Sequence, residues 1–167
     1  MQVPGASAAF EKAVDTHLND LYRFAYWLCR NRWQAEDVVQ DALVRAWRGW
    51  PGLREERAVK AWFFTIVHRE FLRAAPSAAR ADSATDSDDL AFNPDPASSV
   101  DVERALRELS AESREALLMQ VLGGFSCAEI SSALGTTEGA VMTRLTRTRQ
   151  ALRRRLDPPD AKGIKQA

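Results

Sequence analysis

The stretch 125–156, FSCAEISSALGTTEGAVMTRLTRTRQALRRRL, most constrains how this chain can fold. Ser126, followed three residues later by Glu129, forms a capping box in which each side chain satisfies a backbone N–H of the first turn. Gly135 then supplies the left-handed residue that closes a short helix. Glu138 places a carboxylate where the dipole of a second helix favours it. The stretch therefore predicts two helices joined by a tight turn.

The second of these helices is predicted to be densely basic. Val141, Leu145, Leu152 and Leu156 keep a helical apolar stripe. The other positions carry Arg144, Arg147, Arg149, Arg153, Arg154 and Arg155. A helix-turn-helix places such a helix in the major groove, with its N-terminal residues at the base edges. An ordinary helical hairpin with a solvated arginine face is the alternative; the cap, the glycine and their spacing together favour DNA binding.

Charge is distributed unevenly along the 167 residues, although the net charge is zero. Residues 1–75 hold 11 basic and 9 acidic side chains, residues 76–103 hold 1 and 7, and residues 104–156 hold 9 and 5. Two slightly basic blocks are thus separated by an acidic connector. No apolar run is long enough to cross a bilayer, and the first residues lack the pattern of a signal peptide, so we expect a cytoplasmic protein without membrane insertion.

The first block is predicted to form three helices rich in aromatic residues, with all five tryptophans before residue 63. Apolar residues recur at helical spacing over 10–28, a break follows at 30–32, and a second amphipathic helix runs from 35 to 48. Gly49 to Gly52 must form a loop, because glycine and proline interrupt helices. A third helix is expected over 57–74. The aromatic side chains are expected to form the core.

The second block begins after a segment of different composition. Residues 76–99 are rich in Ala, Ser and Asp and lack an apolar period, which predicts a flexible acidic linker. Helices are expected over 100–109 and 111–122, with Ser110 as the N-cap between them. The predicted fold class is therefore all-α: a helical domain over 8–75 and a four-helix domain over 100–156, joined by the linker 76–99.

The sequence contains no motif in which catalytic groups or metal ligands are clustered. Cys29 and Cys127 are far apart and favour roles as small buried hydrophobes. His17 and His68 are isolated, whereas a zinc site needs clustered ligands. No nucleophile is placed beside a base. We therefore expect neither an enzyme nor a cofactor.

Residues of both blocks carry a family resemblance. Asp37-Val38-Val39-Gln40-Asp41, leading to Arg45-Ala46-Trp47-Arg48 and then Ala61-Trp62-Phe63, resembles the first domain of the extracytoplasmic-function (ECF) sigma factors. These are small specificity subunits of bacterial RNA polymerase. Ile130, Gly135, Val141, Arg144-Leu145 and Arg147 resemble the second domain of the same family. The resemblance covers residues 8–74 and 100–156.

The resemblance implies three binding surfaces. Asp37, Gln40 and Asp41 would contact the clamp helices of the largest subunit of core RNA polymerase. The positions that would hold the melted downstream promoter box are Leu53, Arg54, Lys60, Thr65 and Arg69. The positions that would read the upstream box of the promoter DNA are Met142, Thr143, Arg144, Thr146 and Arg147. The family also implies an anti-sigma factor that holds the protein inactive.

Two other functions are compatible with parts of the sequence. A helix-turn-helix regulator that acts without polymerase would explain the second domain but not the polar helix face of the first. A sigma-like decoy for an anti-sigma factor would need no arginine-rich helix. Both alternatives explain less of the chain than a sigma factor does.

Overall fold

The computed structural model describes residues 4–53, 55, 58–74 and 96–157. The helices are α1 (Pro4–Cys29), α2 (Arg32–Gly49), α3 (Val59–Ala74), α4 (Pro96–Arg107), α5 (Ala111–Val121), α6 (Cys127–Leu134) and α7 (Glu138–Leu156), with a 3-10 turn at Trp50–Gly52. Within these ranges every regular element is helical, which confirms the predicted all-α fold class. None of the described helices is long and apolar enough to cross a membrane. Most of the predicted flexible linker, 76–95, lies outside the described residues.

The described chain divides into two compact units. The first contains α1, α2 and α3 together with residues 121–125, and the second contains the remaining described residues. In the first unit the three helices pack against one another pairwise. Its fully buried large side chains are Leu21, Phe24, Phe63, Phe64 and Val67. Three phenylalanines thus dominate its core.

The break between α1 and α2 is set by local hydrogen bonding. The side-chain oxygen of Asn31 accepts a hydrogen bond from the backbone N–H of Gln34 at 3.0 Å, so Asn31 is the N-cap of α2. The predicted break at 30–32 is therefore confirmed. After α2 ends at Gly49, the predicted loop takes the form of a 3-10 turn that contains Pro51. The predicted start of α3 at residue 57 lies outside the described residues.

The expectation that every aromatic side chain belongs to the core was wrong for Trp33, which is 71% exposed. Trp33 lies on the opposite side of α2 from Ala35, Val39 and Ala42, which are buried. At 3.6 residues per turn, position 33 shares its face with the polar positions 37 and 41 rather than with the core. Helical periodicity therefore overrides the general tendency of tryptophan to be buried.

The second unit contains a four-helix arrangement in which α7 packs against α4 and α6. Met119, Ile130, Val141 and Leu145 are fully buried. The hydroxyl of Ser110 accepts a hydrogen bond from the N–H of Ser113 at 3.3 Å, which confirms the predicted N-cap of α5.

Helix α4 begins at Pro96, four residues before the start predicted from the sequence. Proline is favoured in the first helical turn, because its missing N–H has no partner there in any case. Pro96 can therefore open this helix.

The apolar stripe predicted along α7 is buried only in its first part. Val141 and Leu145 are buried, Leu152 is partly exposed, and Leu156 is 45% exposed, so the burial of the apolar stripe decreases toward the end of the helix. Between them Thr148 takes a buried position and donates its hydroxyl hydrogen to the carbonyl of Arg144 at 2.8 Å. Leu156 is the last residue of the helix.

We predict opposite stability effects for two glycines near the turn between α6 and α7. Gly135 has φ 64°, and no heavy atom lies within 4 Å of the position that a Cβ would take. Gly135→Ala should cost about 1–2 kcal/mol, because an L-residue is strained in the left-handed region. Gly139→Ala is the matched control: Gly139 lies inside α7 with equally open space, so alanine should stabilise the unit by up to about 1 kcal/mol. Thermal unfolding of both variants measures the difference, and equal melting temperatures would contradict the prediction.

The two cysteines differ in their environment. Cys29 is buried, and burial raises the pKa of its thiol to about 12, whereas Cys127 is partly exposed. We predict that iodoacetamide at pH 8 alkylates Cys127 and spares Cys29 until the protein unfolds, since the thiolate is the reactive form. The raised pKa also means that the Cys29 thiol keeps its proton up to a higher pH in the native state than in the unfolded state, where the reference pKa is 9.0. Stability from this group is complete below pH 9 and falls as the pH rises toward 12. Mass spectrometry of alkylated peptides tests the first expectation, and equal labelling of both thiols would contradict it.

Candidate nucleic-acid and docking interfaces

Helices α6 and α7 form a helix-turn-helix whose ends are fixed by side-chain caps. The hydroxyl of Ser126 accepts from the N–H of Glu129 at 3.2 Å, and the Glu129 carboxylate accepts from the N–H of Ser126 at 2.7 Å. Gly135 closes α6 in the left-handed conformation. The hydroxyl of Thr137 then accepts from the N–H of Ala140 at 3.2 Å and opens α7. The capping box and turn glycine predicted from the sequence are confirmed.

The N-terminal half of α7 presents most of the predicted upstream-box positions to solvent. Met142 is 56% exposed, and Thr143, Thr146 and Arg147 are also exposed. The hydroxyl of Thr146 donates to the carbonyl of Met142 at 2.9 Å, which leaves its oxygen free to accept. These side chains lie on the face opposite to the buried Val141. A duplex groove could reach them without any rearrangement of the helix.

Arg144 differs from the other predicted upstream-box positions. Its guanidinium donates to the carboxylate of Glu112, in the first turn of α5, at 3.0 Å, and its side chain is 27% exposed. The exposed partner carboxylate makes this a weak pair, because solvent screens it. Arg144 therefore contributes to holding α7 against α5 in the free protein.

The six arginines of α7 divide into two groups that the sequence alone does not distinguish. Besides Arg144, the guanidinium of Arg149 donates to the side-chain oxygen of Gln120. Arg155 pairs with Glu108 at 3.0 Å and also donates to a backbone carbonyl of α4 at 3.4 Å. Arg147, Arg153 and Arg154 are exposed and have no ion-pair partner within the described ranges. Three of the six arginines thus bond to other residues of their own domain.

In the first unit, α2 has one apolar and one polar face. Ala35, Val38, Val39, Ala42 and Ala46 are buried on one side. Asp37, Gln40 and Asp41 are exposed on the other side. None of these three side chains takes part in a hydrogen bond or ion pair with any residue that the structure describes. The predicted docking residues are therefore brought together on one solvent-facing surface.

The acidic residues of α2 lie beyond its first turn. The helix begins at Arg32, and its first turn contains no acidic residue. Glu36 and Asp37 therefore lie in the second turn, where the helix dipole contributes less. The arrangement of acidic residues on this face does not follow from helix stability alone.

The predicted downstream-box residues are only partly brought together. Lys60 forms an ion pair with Asp20 of α1 at 3.6 Å, and the hydroxyl of Thr65 donates to the carbonyl of Ala61 at 2.8 Å. Thr65 and Arg69 are one turn apart on α3, and Arg69 is exposed, whereas Lys60 lies about 140° away around the helix. Leu53 is partly exposed in the loop after α2, and Arg54 lies outside the described residues.

Both units of the chain are similar to known proteins. A model of sigma-70 region 2 matches residues 13–81, and a model of sigma-70 region 4 matches residues 99–152. The ECF RNA polymerase sigma factor SigL of Mycobacterium tuberculosis is 34% identical over 159 residues, which cover 89% of each chain. The chain belongs to the ECF RNA polymerase sigma factors. The family predicted from the sequence is confirmed.

Further similar proteins are consistent with the assignment of this chain to the ECF sigma factors. SigM of M. tuberculosis is 32% identical over 160 residues, covering 92% of this chain and 80% of its own. The sigma factor RpoE of Bartonella quintana, solved in complex with the anti-sigma factor NepR, is 29% identical with a TM-score of 0.69, covering 90% of this chain and 98% of its own. CnrH, solved with the cytosolic domain of CnrY, is 27% identical with a TM-score of 0.59, covering 90% and 89%. As a sigma factor, the protein binds core RNA polymerase and directs transcription initiation at its promoters.

An aromatic cluster, which sequence analysis did not recognise as a unit, supports the loop after α2 of the sigma factor. The ring of Phe10 lies 5.0 Å from that of Trp47 and 5.2 Å from that of Trp50. Trp50 in turn lies 6.2 Å from Trp62 of α3. A Cβ on Gly49 would meet the Trp62 ring at 3.1 Å, so glycine allows this ring to approach the end of α2. Edge-to-face contacts of this kind fix where the loop begins.

A buried carboxylate connects α2 to α3 of the sigma factor. Glu70 is buried, and its Oε1 atom lies 2.5 Å from Arg45 Nε and 2.9 Å from Arg73 Nη1. A charge that is removed from water in this way needs such partners. No local sequence pattern predicts the pair of Arg45 and Glu70, because these residues are distant in sequence. Among the described residues no three His, Cys, Asp or Glu side chains form a group that could hold a metal ion.

Proposed function

We propose that the sigma factor docks on the clamp helices of the largest polymerase subunit through the exposed face of α2. The support is the set Asp37, Gln40 and Asp41, which is exposed and makes no ion pair within the described chain. Burying such carboxylates is favourable only against a basic partner surface. Complementary charge also steers the encounter and fixes its orientation. The exposed acidic face of α2, which has no internal partner among the described residues, is the single observation that carries the proposal.

The second unit reads the upstream promoter box in the major groove through the N-terminal half of α7. Arg147 is exposed and carries no internal ion pair among the described residues, so its fork of donors is available to the two acceptors of a guanine. Met142, Thr143 and Thr146 lie on the same accessible surface and can contact methyl groups or base edges. Arg144 contributes after exchanging Glu112 for a phosphate or a base.

We predict that Arg147→Ala weakens binding of the upstream box by about 1–3 kcal/mol. The measurement is a fluorescence-anisotropy titration at fixed salt with a duplex that carries this box. Arg149→Ala is the matched control, because it removes the same charge from the same helix where the guanidinium is bound to Gln120. Equal affinity of Arg147→Ala and the unmodified protein would remove Arg147 from the readers.

The first unit holds the downstream box as a separated strand. Leu53 and Arg54 in the loop, and Lys60, Thr65 and Arg69 on α3, are the proposed contacts. Single-strand capture requires cationic groups for the backbone and apolar surfaces for unstacked bases. Arg69 and Thr65 are ready for this role on one face of α3, whereas Lys60 must first leave Asp20. Unstacking of a base costs roughly a few kcal/mol. The proposed contacts together offset this cost.

Regulation by an anti-sigma factor is part of the proposal. The similar sigma factor RpoE was solved in complex with the anti-sigma factor NepR. An inhibitor that covers the face of α2 or the N-terminal half of α7 would block polymerase or promoter. The sigma factor acts in the cytoplasm, where the polymerase is, and it supplies recognition while the polymerase supplies catalysis.

Run-off transcription of genomic fragments with purified core RNA polymerase, with and without this protein, tests the proposed function. New discrete transcripts are expected, and their aligned start sites define both promoter boxes. Core polymerase that binds the protein but yields no transcript would contradict promoter recognition. Absence of binding would contradict docking and favour a helix-turn-helix regulator or a decoy.

A further inference from the structure

Trp33 is the most exposed large hydrophobic side chain in the described part of the chain, at 71%. Leaving an indole in water is unfavourable, because the removal of apolar surface from water is a main driving force of protein association. Neither the capping of α2 nor the core of the first unit uses it. The position of this tryptophan therefore calls for a partner surface.

Trp33 lies on the face that carries the proposed docking residues. Counting along α2, Trp33, Asp37 and Asp41 are four residues apart, and Val44 follows three residues later. These spacings place all four side chains in one longitudinal row about 17 Å long. Val44 is 50% exposed, so the row begins and ends with an apolar side chain and is acidic in between.

The indole is held in place by a short chain of polar contacts. The guanidinium carbon of Arg32 lies 5.7 Å from the Trp33 ring centroid, within the range of a cation–π contact. Arg32 is bound to the carboxylate of Glu36 at 3.3 Å, and the same carboxylate oxygen accepts from the hydroxyl of Tyr22 at 3.0 Å. An aromatic side chain restrained before binding loses less entropy when a partner covers it.

We propose that Trp33 and Val44 are the apolar anchors of the α2 docking face. Their occupant is the largest subunit of core RNA polymerase, which would present two apolar sockets flanked by basic side chains along about three helical turns. This inference rests on the proposed docking function and adds to it the residues that contribute most of the affinity. Tryptophan that fills a well-packed, desolvated pocket is among the commonest binding hot spots.

Two other occupants fit the charges less well. A second copy of this chain, paired through the same face, would bring Asp37 and Asp41 of both copies together, and like charges repel at such an interface. A membrane surface is negatively charged and would repel the same carboxylates. A basic protein surface satisfies both the acidic centre and the apolar ends of the row.

The test is the affinity of full-length variants for core RNA polymerase, measured by titration of fluorescently labelled protein. We expect Trp33→Ala to weaken binding about 30-fold. Trp33→Phe should recover most of the affinity, and Val44→Ala should lose about threefold. Val102→Ala removes a similarly exposed valine from α4 and should change nothing. Because Trp33 is exposed, its replacement should leave the melting temperature and the affinity for the upstream-box duplex unchanged.

The double variant Asp37→Asn with Asp41→Asn separates this inference from the docking proposal. If that variant binds polymerase weakly while Trp33→Ala binds normally, docking stands and the anchor is refuted. If neither variant is weakened, both are refuted. A Trp33→Ala variant that binds polymerase normally but changes the protein from dimer to monomer would also overturn the proposal, in favour of self-association.

Discussion

Replacement of both Asp37 and Asp41 by lysine is expected to abolish transcription that depends on this sigma factor. Like charges brought together across an interface cost several kcal/mol, so the affinity for core RNA polymerase should fall by at least about 100-fold. Both aspartates are exposed and make no ion pair in the described structure, so the lysines should not disturb α2. Run-off transcription and polymerase titration measure the two effects.

The matched control carries the same change of charge on another exposed helix face. Glu11→Lys with Asp15→Lys alters two exposed positions of α1 that are also four residues apart. This control should retain polymerase affinity and transcription. If both double variants lose affinity equally, net charge rather than the α2 face governs the interaction, and the docking proposal fails.

Replacement of Phe24 by alanine is expected to cause the largest loss of stability in the first unit. Phe24 is fully buried, and its ring lies 5.0 Å from that of Phe64. Truncation of a buried phenylalanine costs about 3–5 kcal/mol. That is a large part of the about 5–15 kcal/mol that stabilises an entire domain.

Urea unfolding followed by tryptophan fluorescence measures this loss in the relevant unit. All five tryptophans precede residue 63, so their emission reports on the helices α1 to α3 alone. Leu18→Ala on the same helix is the control, since Leu18 is 37% exposed and should cost only about 1 kcal/mol. A Phe24→Ala variant with the same urea midpoint as Leu18→Ala would contradict this description of the core.

The contrast between Leu18 and Phe24 shows where sequence-based prediction of the fold succeeded and where it did not. The aromatic side chains were expected to form the core, and Phe24 and Phe64 are indeed buried, whereas Leu18 and Leu72, which belong to the same apolar pattern of α1 and α3, are each 37% exposed. Periodicity defines the centre of an apolar face. The edges of that face depend on where two other helices lie, and this is a tertiary property.

Features that depend on neighbouring residues were predicted to the residue. The capping box at Ser126 and Glu129 and the left-handed Gly135 follow from hydrogen bonds that span three or four positions. The start of α4 was misplaced, because proline is compatible both with a linker and with a first helical turn.

For the candidate sites, the sequence predicted surfaces better than individual side-chain environments. Asp37, Gln40 and Asp41 share a face because helix geometry requires it. The pairing of Arg144 with Glu112, and of Lys60 with Asp20, joins residues 32 and 40 positions apart. No local pattern encodes such pairs. The residue roles at the three surfaces remain predictions.

The three braced arginines of α7 also bear on how the sigma factor searches the genome. Binding to duplex DNA becomes more sensitive to salt by about 0.9 in the logarithmic slope for each phosphate neutralised. Arg149 and Arg155 are bound to their own domain and Arg147 is proposed to contact a base, so that only Arg153, Arg154 and, once it leaves Glu112, Arg144 remain for phosphates. The slope should then be about −3 rather than twice that value. We therefore expect the free sigma factor to bind bulk chromosomal DNA only weakly.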